Sequence, residues 1–166
     1  MFLTFVTFLP LIGAIAIAFI PKDSEEAAKQ TALAVAVADF LLSIVLYSDF
    51  DIHTHKMQFE FSTEWIARWG VNYHVGIDGI SLLLYIMTTF LTAISILASW
   101  EVKKHVKEYM MAMLILSTGM LGVFIALDLF MFYVFWELQL VPMYIIVGVW
   151  GGPRRIYAAV KFFLYT

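Results

Sequence analysis

The chain contains no cysteine, few charges and few prolines: 0 Cys, 14% Asp, Glu, Lys and Arg, and 4 Pro in 166 residues. Without cysteine there are no disulfides, no Cys-based zinc site and no cysteine-ligated iron–sulfur cluster. A soluble domain of this length carries about 25% charged residues. Too little charge is left here to solvate a globular surface, and nothing resembles a basic nucleic-acid face. There is also no Gly-rich phosphate loop, no nucleophile–base set and no pair of haem ligands. Any redox chemistry therefore belongs on another polypeptide, and this chain is expected to hold no cofactor or metal.

What fills the sequence is apolar. Hydrophobic residues make up 63% of it and the mean hydropathy is +0.89. They fall into long blocks, as membrane helices require when the hydrocarbon core is about 30 Å thick. The expected fold class is an all-α, polytopic transmembrane bundle over residues 1–166. Its spans are Phe2–Ile20, Thr31–Ser48, Ile80–Ser99, Tyr109–Leu127 and Leu129–Trp150. The first block lacks the basic flank of a signal peptide and exceeds an h-region of about 7–15 residues, so it reads as a membrane helix with Pro10 as a kink. The stretch Lys22 to Gln30 reads as a polar loop.

Residues 49–78 are too polar for lipid and form the one sizeable extramembrane loop, with alternating pieces at Gln58–Phe61 and Val71–Val75. Its Trp65, Trp69 and Tyr73 suit a membrane–water boundary. A sixth apolar segment, Ile156–Thr166, rises only about 16 Å as a helix and cannot cross the bilayer alone. The expectation is that the natural protein continues or that this is a fragment of it.

Basic residues set the orientation. The first, third and fifth loops hold Lys22, Lys29, Lys103, Lys104, Lys107, Arg154 and Arg155, against Lys56 and Arg68 on the other side. The positive-inside rule puts the N-terminus and residues 49–78 on the non-cytoplasmic side.

Chemistry concentrates in the fifth span. Glu137 stands in an otherwise uncharged run from Leu129 to Trp150, beside Trp136 and five residues before Pro142. A carboxylate near the bilayer midplane costs about 2.5–3.5 kcal/mol on insertion scales, so such groups are functional by default. Pro142 cannot donate to the carbonyl of Leu138, which leaves a free acceptor beside the acid. The bland alternative is a protonated Glu that hydrogen-bonds a neighbouring helix. Lys161, in the sixth segment, reads equally well as an accessory relay or as a lysine snorkelling to the headgroups. Asp39, inside the second span, is a second membrane acid; no partner charge or kink accompanies it, which favours a passive role. Asp78 and Asp128 sit where helix N-termini attract carboxylates. His53 and His55 lack a third ligand. Met110, Met111 and Met113 read as packing or lipid-facing surface, and Gly119 and Gly122 as sites of close helix approach.

The segment Asp128–Thr166, DLFMFYVFWELQLVPMYIIVGVWGGPRRIYAAVKFFLYT, resembles the chain M (chain 4) family of the proton-pumping NADH:quinone oxidoreductase, respiratory complex I. The F-x-W-E-x-x-L-x-P-x-Y string, the W-G-G and A-A-x-K-F-x-x-Y-T that follow it, and G-I-D-G-I-S-L at Gly76–Leu82 carry the resemblance. It implies that the glutamate at position 137 pairs with a lysine on a seventh helix, beyond Thr166. Charge changes in that pair are held to drive protons along a hydrophilic axis, and Lys161 matches an accessory sixth-helix lysine. It further implies partners among the other membrane-arm subunits, flavin and iron–sulfur clusters on those partners, and a home in the inner membrane of a bacterium sooner than an organelle. Subunits of sodium/proton antiporters and membrane hydrogenases share parts of the pattern. A truncated scaffold that moves nothing is the reading of another class.

Overall fold

The computed structural model describes residues 1–21, 24–54 and 56–166. Its order is α1 (Phe2–Phe19), α2 (Glu25–Ser48), β1 (Gln58–Ile66), β2 (Val71–Ile77), α3 (Gly79–Ala98), α4 (Val106–Ile125), α5 (Leu129–Trp150) and α6 (Arg155–Tyr165). Of the described residues 74% are helical, and α1 to α5 are each long and apolar enough to cross a membrane. The expected polytopic helical bundle is what forms.

α4 is the central helix, packed against α1, α2, α3 and α5. Its sequence explains the position. Ala112, Ser117, Thr118, Gly119 and Gly122 are small and buried, so neighbouring backbones can come close. A Cβ on Gly119 would lie 2.9 Å from the Gln139 backbone nitrogen, and one on Gly122 would run into the Phe135 ring. Both glycines thus serve the close approach expected of them. Met110 is fully buried and Met111 and Met113 pack around it, which makes that cluster a packing surface.

α2 begins at Glu25, six residues before the expected Thr31. Glu25 and Glu26 suit the first turn of a helix even though they cannot enter lipid. A hydropathy reading stops where apolar residues stop, whereas the helix continues into water. Lys29, assigned to the loop, is therefore helical and buried. Its Nζ donates to the Trp100 carbonyl at 2.7 Å and lies 5.8 Å from the centre of that indole ring. Lys107, from the next loop on that face, donates to Ala18 and Ile20 carbonyls at 2.8 and 2.6 Å. Each lysine satisfies carbonyls where a helix ends, which suits a cation at that pole.

At the other end of the bundle, within residues 49–78, β1 and β2 pair antiparallel, with Phe61 opposite Val75 and Thr63 opposite Tyr73. Gly70 takes the left-handed conformation (φ 66°) that the tight connection needs. The hairpin is tied down by backbone bonds. Leu127 N donates to the His74 carbonyl at 2.9 Å, and Val75 bridges to Ala126 at the α4–α5 junction. Tyr73 reaches Thr4 on α1. Among the described residues this hairpin is the one sheet in an otherwise helical bundle.

Candidate functional site

Asp128 starts α5. Its Oδ1 accepts from the amides of Phe130 and Met131 at 2.9 and 3.2 Å, which satisfies donors at the helix start. Asp78 does the same for α3, accepting from Ser81 N at 2.7 Å. That bond holds its carboxyl below the usual carboxylate range. Both aspartates are N-caps, as their positions suggested.

From this start α5 runs unbroken through Pro142. Leu140 is buried, and the side toward the bundle is Met131, Phe135 and Pro142. The opposite stripe, Tyr133, Glu137, Val141 and Tyr144, repeats at three and four residues and is exposed on the outside of the bundle. Glu137 has no ion-pair partner within 4.0 Å among the described residues. Tyr133 stands one turn earlier on the same stripe.

α6 packs back along α5. Tyr144 meets Phe163 edge-on at 5.5 Å, and Gly148 faces Ala159. This register sets Lys161 level with Ile146, nine residues or about 14 Å along the axis from Glu137. The structure does not bring Glu137 and Lys161 together. Lys161 instead lies 5.8 and 5.7 Å from the ring centres of Tyr157 and Tyr165, one turn either side of it. It faces a cleft of about 770 Å³ that Arg154 and Arg155 also line.

Asp39 lies elsewhere, 1% exposed inside the α1–α4 bundle, and its Oδ1 has no hydrogen-bond partner among the described residues. Around it the helices pair hydroxyls: Thr7 with Tyr85 at 3.0 Å, Ser43 with Thr89 at 2.9 Å, Thr92 with Ser117 at 3.3 Å. The sequence reading missed this polar interior. The signal was there, since Thr88, Thr89 and Thr92 recur at helical spacing on the inward side of α3. His55 lies outside the described residues. Among the described residues no three His, Cys, Asp or Glu side chains converge as a metal site would need.

With this geometry in view, the sequence profile of NADH-ubiquinone oxidoreductase chain 4, amino terminus, matches residues 3–128. The chain belongs to that family. A second profile, NADH:quinone oxidoreductase/Mrp antiporter, TM, matches residues 126–166, which hold Glu137 and Lys161. NADH-quinone oxidoreductase subunit M of Rhodobacter capsulatus is 48% identical over 168 residues, covering 99% of this chain and 32% of that protein. NADH-ubiquinone oxidoreductase chain 4 of Arabidopsis thaliana is 45% identical over 159 residues, covering 95% and 32%. The chain thus spans about a third of the length of these relatives. Among solved structures, respiratory complex I from Thermus thermophilus with bound NADH superimposes with a TM-score of 0.82 at 23% identity, covering 99% of this chain and 32% of that one. An archaeal membrane-bound sulfane sulfur reductase superimposes with a TM-score of 0.72 at 19% identity. At those identities the likeness is one of fold.

Proposed function

We propose that this chain forms the amino-terminal part of a proton-translocating membrane-arm subunit of a respiratory NADH:quinone oxidoreductase, with Glu137 as its proton-carrying group. Family membership supports the machine. The observation that carries the role is the position of Glu137, mid-helix on the uncovered stripe of α5, with no cation within pairing distance among the described residues. A carboxyl in lipid is stabilised by a proton or by an opposite charge. When a partner cation approaches, the charged form is favoured and the proton leaves; when it withdraws, the acid binds a proton again. Pro142 leaves the Leu138 carbonyl free one turn away, which favours hydration beside the acid.

On this reading the partner is a lysine outside residues 1–166, and Lys161, about 14 Å away along the axis, acts only as an accessory relay. NADH oxidation, quinone reduction, flavin and iron–sulfur clusters all belong to other subunits of the complex. Residues 1–166 form one membrane domain, with the hairpin side non-cytoplasmic and the lysine-rich side cytoplasmic, in a bacterial inner membrane. The test is Glu137→Gln in the complete subunit. Proton translocation per electron should fall sharply in a normally assembled complex, and wild-type stoichiometry would sink the reading.

The profile over residues 126–166 also names an antiporter family, so a sodium/proton antiporter subunit is the second reading. The composition of the purified complex separates the two: flavin and iron–sulfur proteins for the first, none for the second.

A further inference from the structure

Asp39 lies in a structural setting that the role of Glu137 leaves unexplained. Gly13 of α1 packs on Val35 of α2, a Cβ there falling 2.7 Å from the valine. Carried one turn along these antiparallel helices, that register sets Asp39 level with Leu9 and Pro10. Pro10 cannot donate to the Val6 carbonyl, so an acceptor is free on α1 near this level. The Ser43–Thr89 pair sets Asp39 level with Ala93 of α3, next to the Thr92–Ser117 pair. An acid with a free oxygen therefore sits among hydroxyls and beside a freed carbonyl.

From this level a run of hydroxyls leads toward the hairpin. Tyr73 on the hairpin donates to Thr4 at 3.2 Å. Thr7 follows three residues on and meets Tyr85. Thr89 lies one turn beyond Tyr85 and meets Ser43, and Asp39 is one turn beyond Ser43. Thr4 to Thr7 and Ser43 to Asp39 are single helical turns of about 5–6 Å, a gap one water molecule bridges. Burial pushes the Tyr73 hydroxyl up, so it stays protonated as a relay requires. Toward the lysine-rich end Ala14, Ile17, Ala32, Ala36, Ile96 and Leu114 form an apolar cluster, and the hydroxyls there, the Ser99–Tyr109 pair, lie along α3 and α4 beyond it.

We propose that Asp39 is a proton-binding site of its own, separate from Glu137, reached from the hairpin side along this ladder of hydroxyls. A proton entering at Tyr73 is passed as each hydroxyl accepts one on a lone pair and gives up its own. Every relay group ends neutral and the acid gains one O–H bond; release reverses the sequence. Among the described residues no competing charge faces the site. α1 and α3 carry no Asp, Glu, Lys, Arg or His, the titratable residues of α4 (Lys107, Glu108 and Tyr109) lie in its first turn, and Lys29 is ten residues away along α2.

The complete subunit in its membrane complex, carrying isotope-labelled aspartate, tests this by infrared difference spectroscopy. A protonated-carboxyl stretch should appear that Asp39→Asn removes, or that Asp39→Glu shifts should the asparagine variant not assemble. Its hydrogen–deuterium exchange should slow about tenfold when Thr7→Val and Tyr85→Phe break the ladder. No band that responds to either change at position 39, or exchange within about twofold of wild type in the ladder variant, overturns the proposal. Because the readout does not involve Glu137, it stands or falls independently of the pumping role proposed for that residue.

Discussion

Two intramembrane acids in this chain meet opposite surroundings. Asp39 is enclosed by four helices of its own chain, whereas Glu137 stands on an outward stripe of the fifth. The helices differ in the same way: α4 buries ten of its 20 residues and α5 only four of its 22. Small residues explain the first figure, since glycine, alanine and serine let α4 be surrounded. Bulky aromatics on the open stripe of α5 present a face broad enough to take further helices, in keeping with a chain that spans about a third of its relatives. The contrast teaches that depth in the membrane and burial in the protein are independent. An acid's chemistry follows from which neighbours it meets, and its position along a span does not supply them.

The largest expected effect falls on the open face. Glu137→Gln should lower proton translocation at least about tenfold, the scale of losing a proton-transfer group. It should leave the thermal unfolding of the assembled subunit nearly unchanged, because the side chain is exposed. A large drop in unfolding temperature would mean that Glu137 is structural and erase the contrast. Next comes the α4–α5 seam. Gly122→Leu drives a side chain into Phe135 and should destabilise by about 3 kcal/mol, as overpacked cores do, read as loss of folded protein in detergent.

Lys107→Ala removes the donor to two carbonyls at the end of α1 and should cost about 1–2 kcal/mol in the same assay. Asp128→Ala removes the α5 cap and should cost about 1 kcal/mol. The smallest effect is a pH dependence at Asp78. Its folded-state pKa is depressed by the Ser81 amide. The stability it adds is therefore present above its unfolded pKa of about 3.9 and is lost as pH falls through the lower folded value. Asp78→Asn should flatten that acid limb of the melting curve, and an unchanged limb would assign the acid sensitivity to other carboxylates.

Much of this was legible in advance, for reasons that particular residues make plain. The α5 boundaries Leu129 and Trp150 follow from Asp128 before and Gly151-Gly152-Pro153 after, because capping and helix breaking are local. The start of α2 was not legible. Glu25 to Gln30 are good helix formers but poor membrane residues, and hydropathy reports only the second property. The burial of Lys29 and its bond to Trp100 join residues 71 apart, which no local pattern shows. The same holds for the separation of Glu137 and Lys161. Both lie on adjacent helices, and only the register of α6 on α5 puts them out of reach of each other.

The sequence by itself determined that the chain is a membrane protein, which segments are long and apolar enough to span, where its caps lie and which of those segments carry an acid. Those properties depend on each residue's transfer energy and on its immediate neighbours along the chain. Tertiary structure alone decided that Asp39 faces inward onto paired hydroxyls, that Glu137 faces out, and that Lys161 lies among tyrosines. Those are outcomes of helix rotation and register. Close packing of small residues sets both, and it acts between segments that the linear order keeps apart.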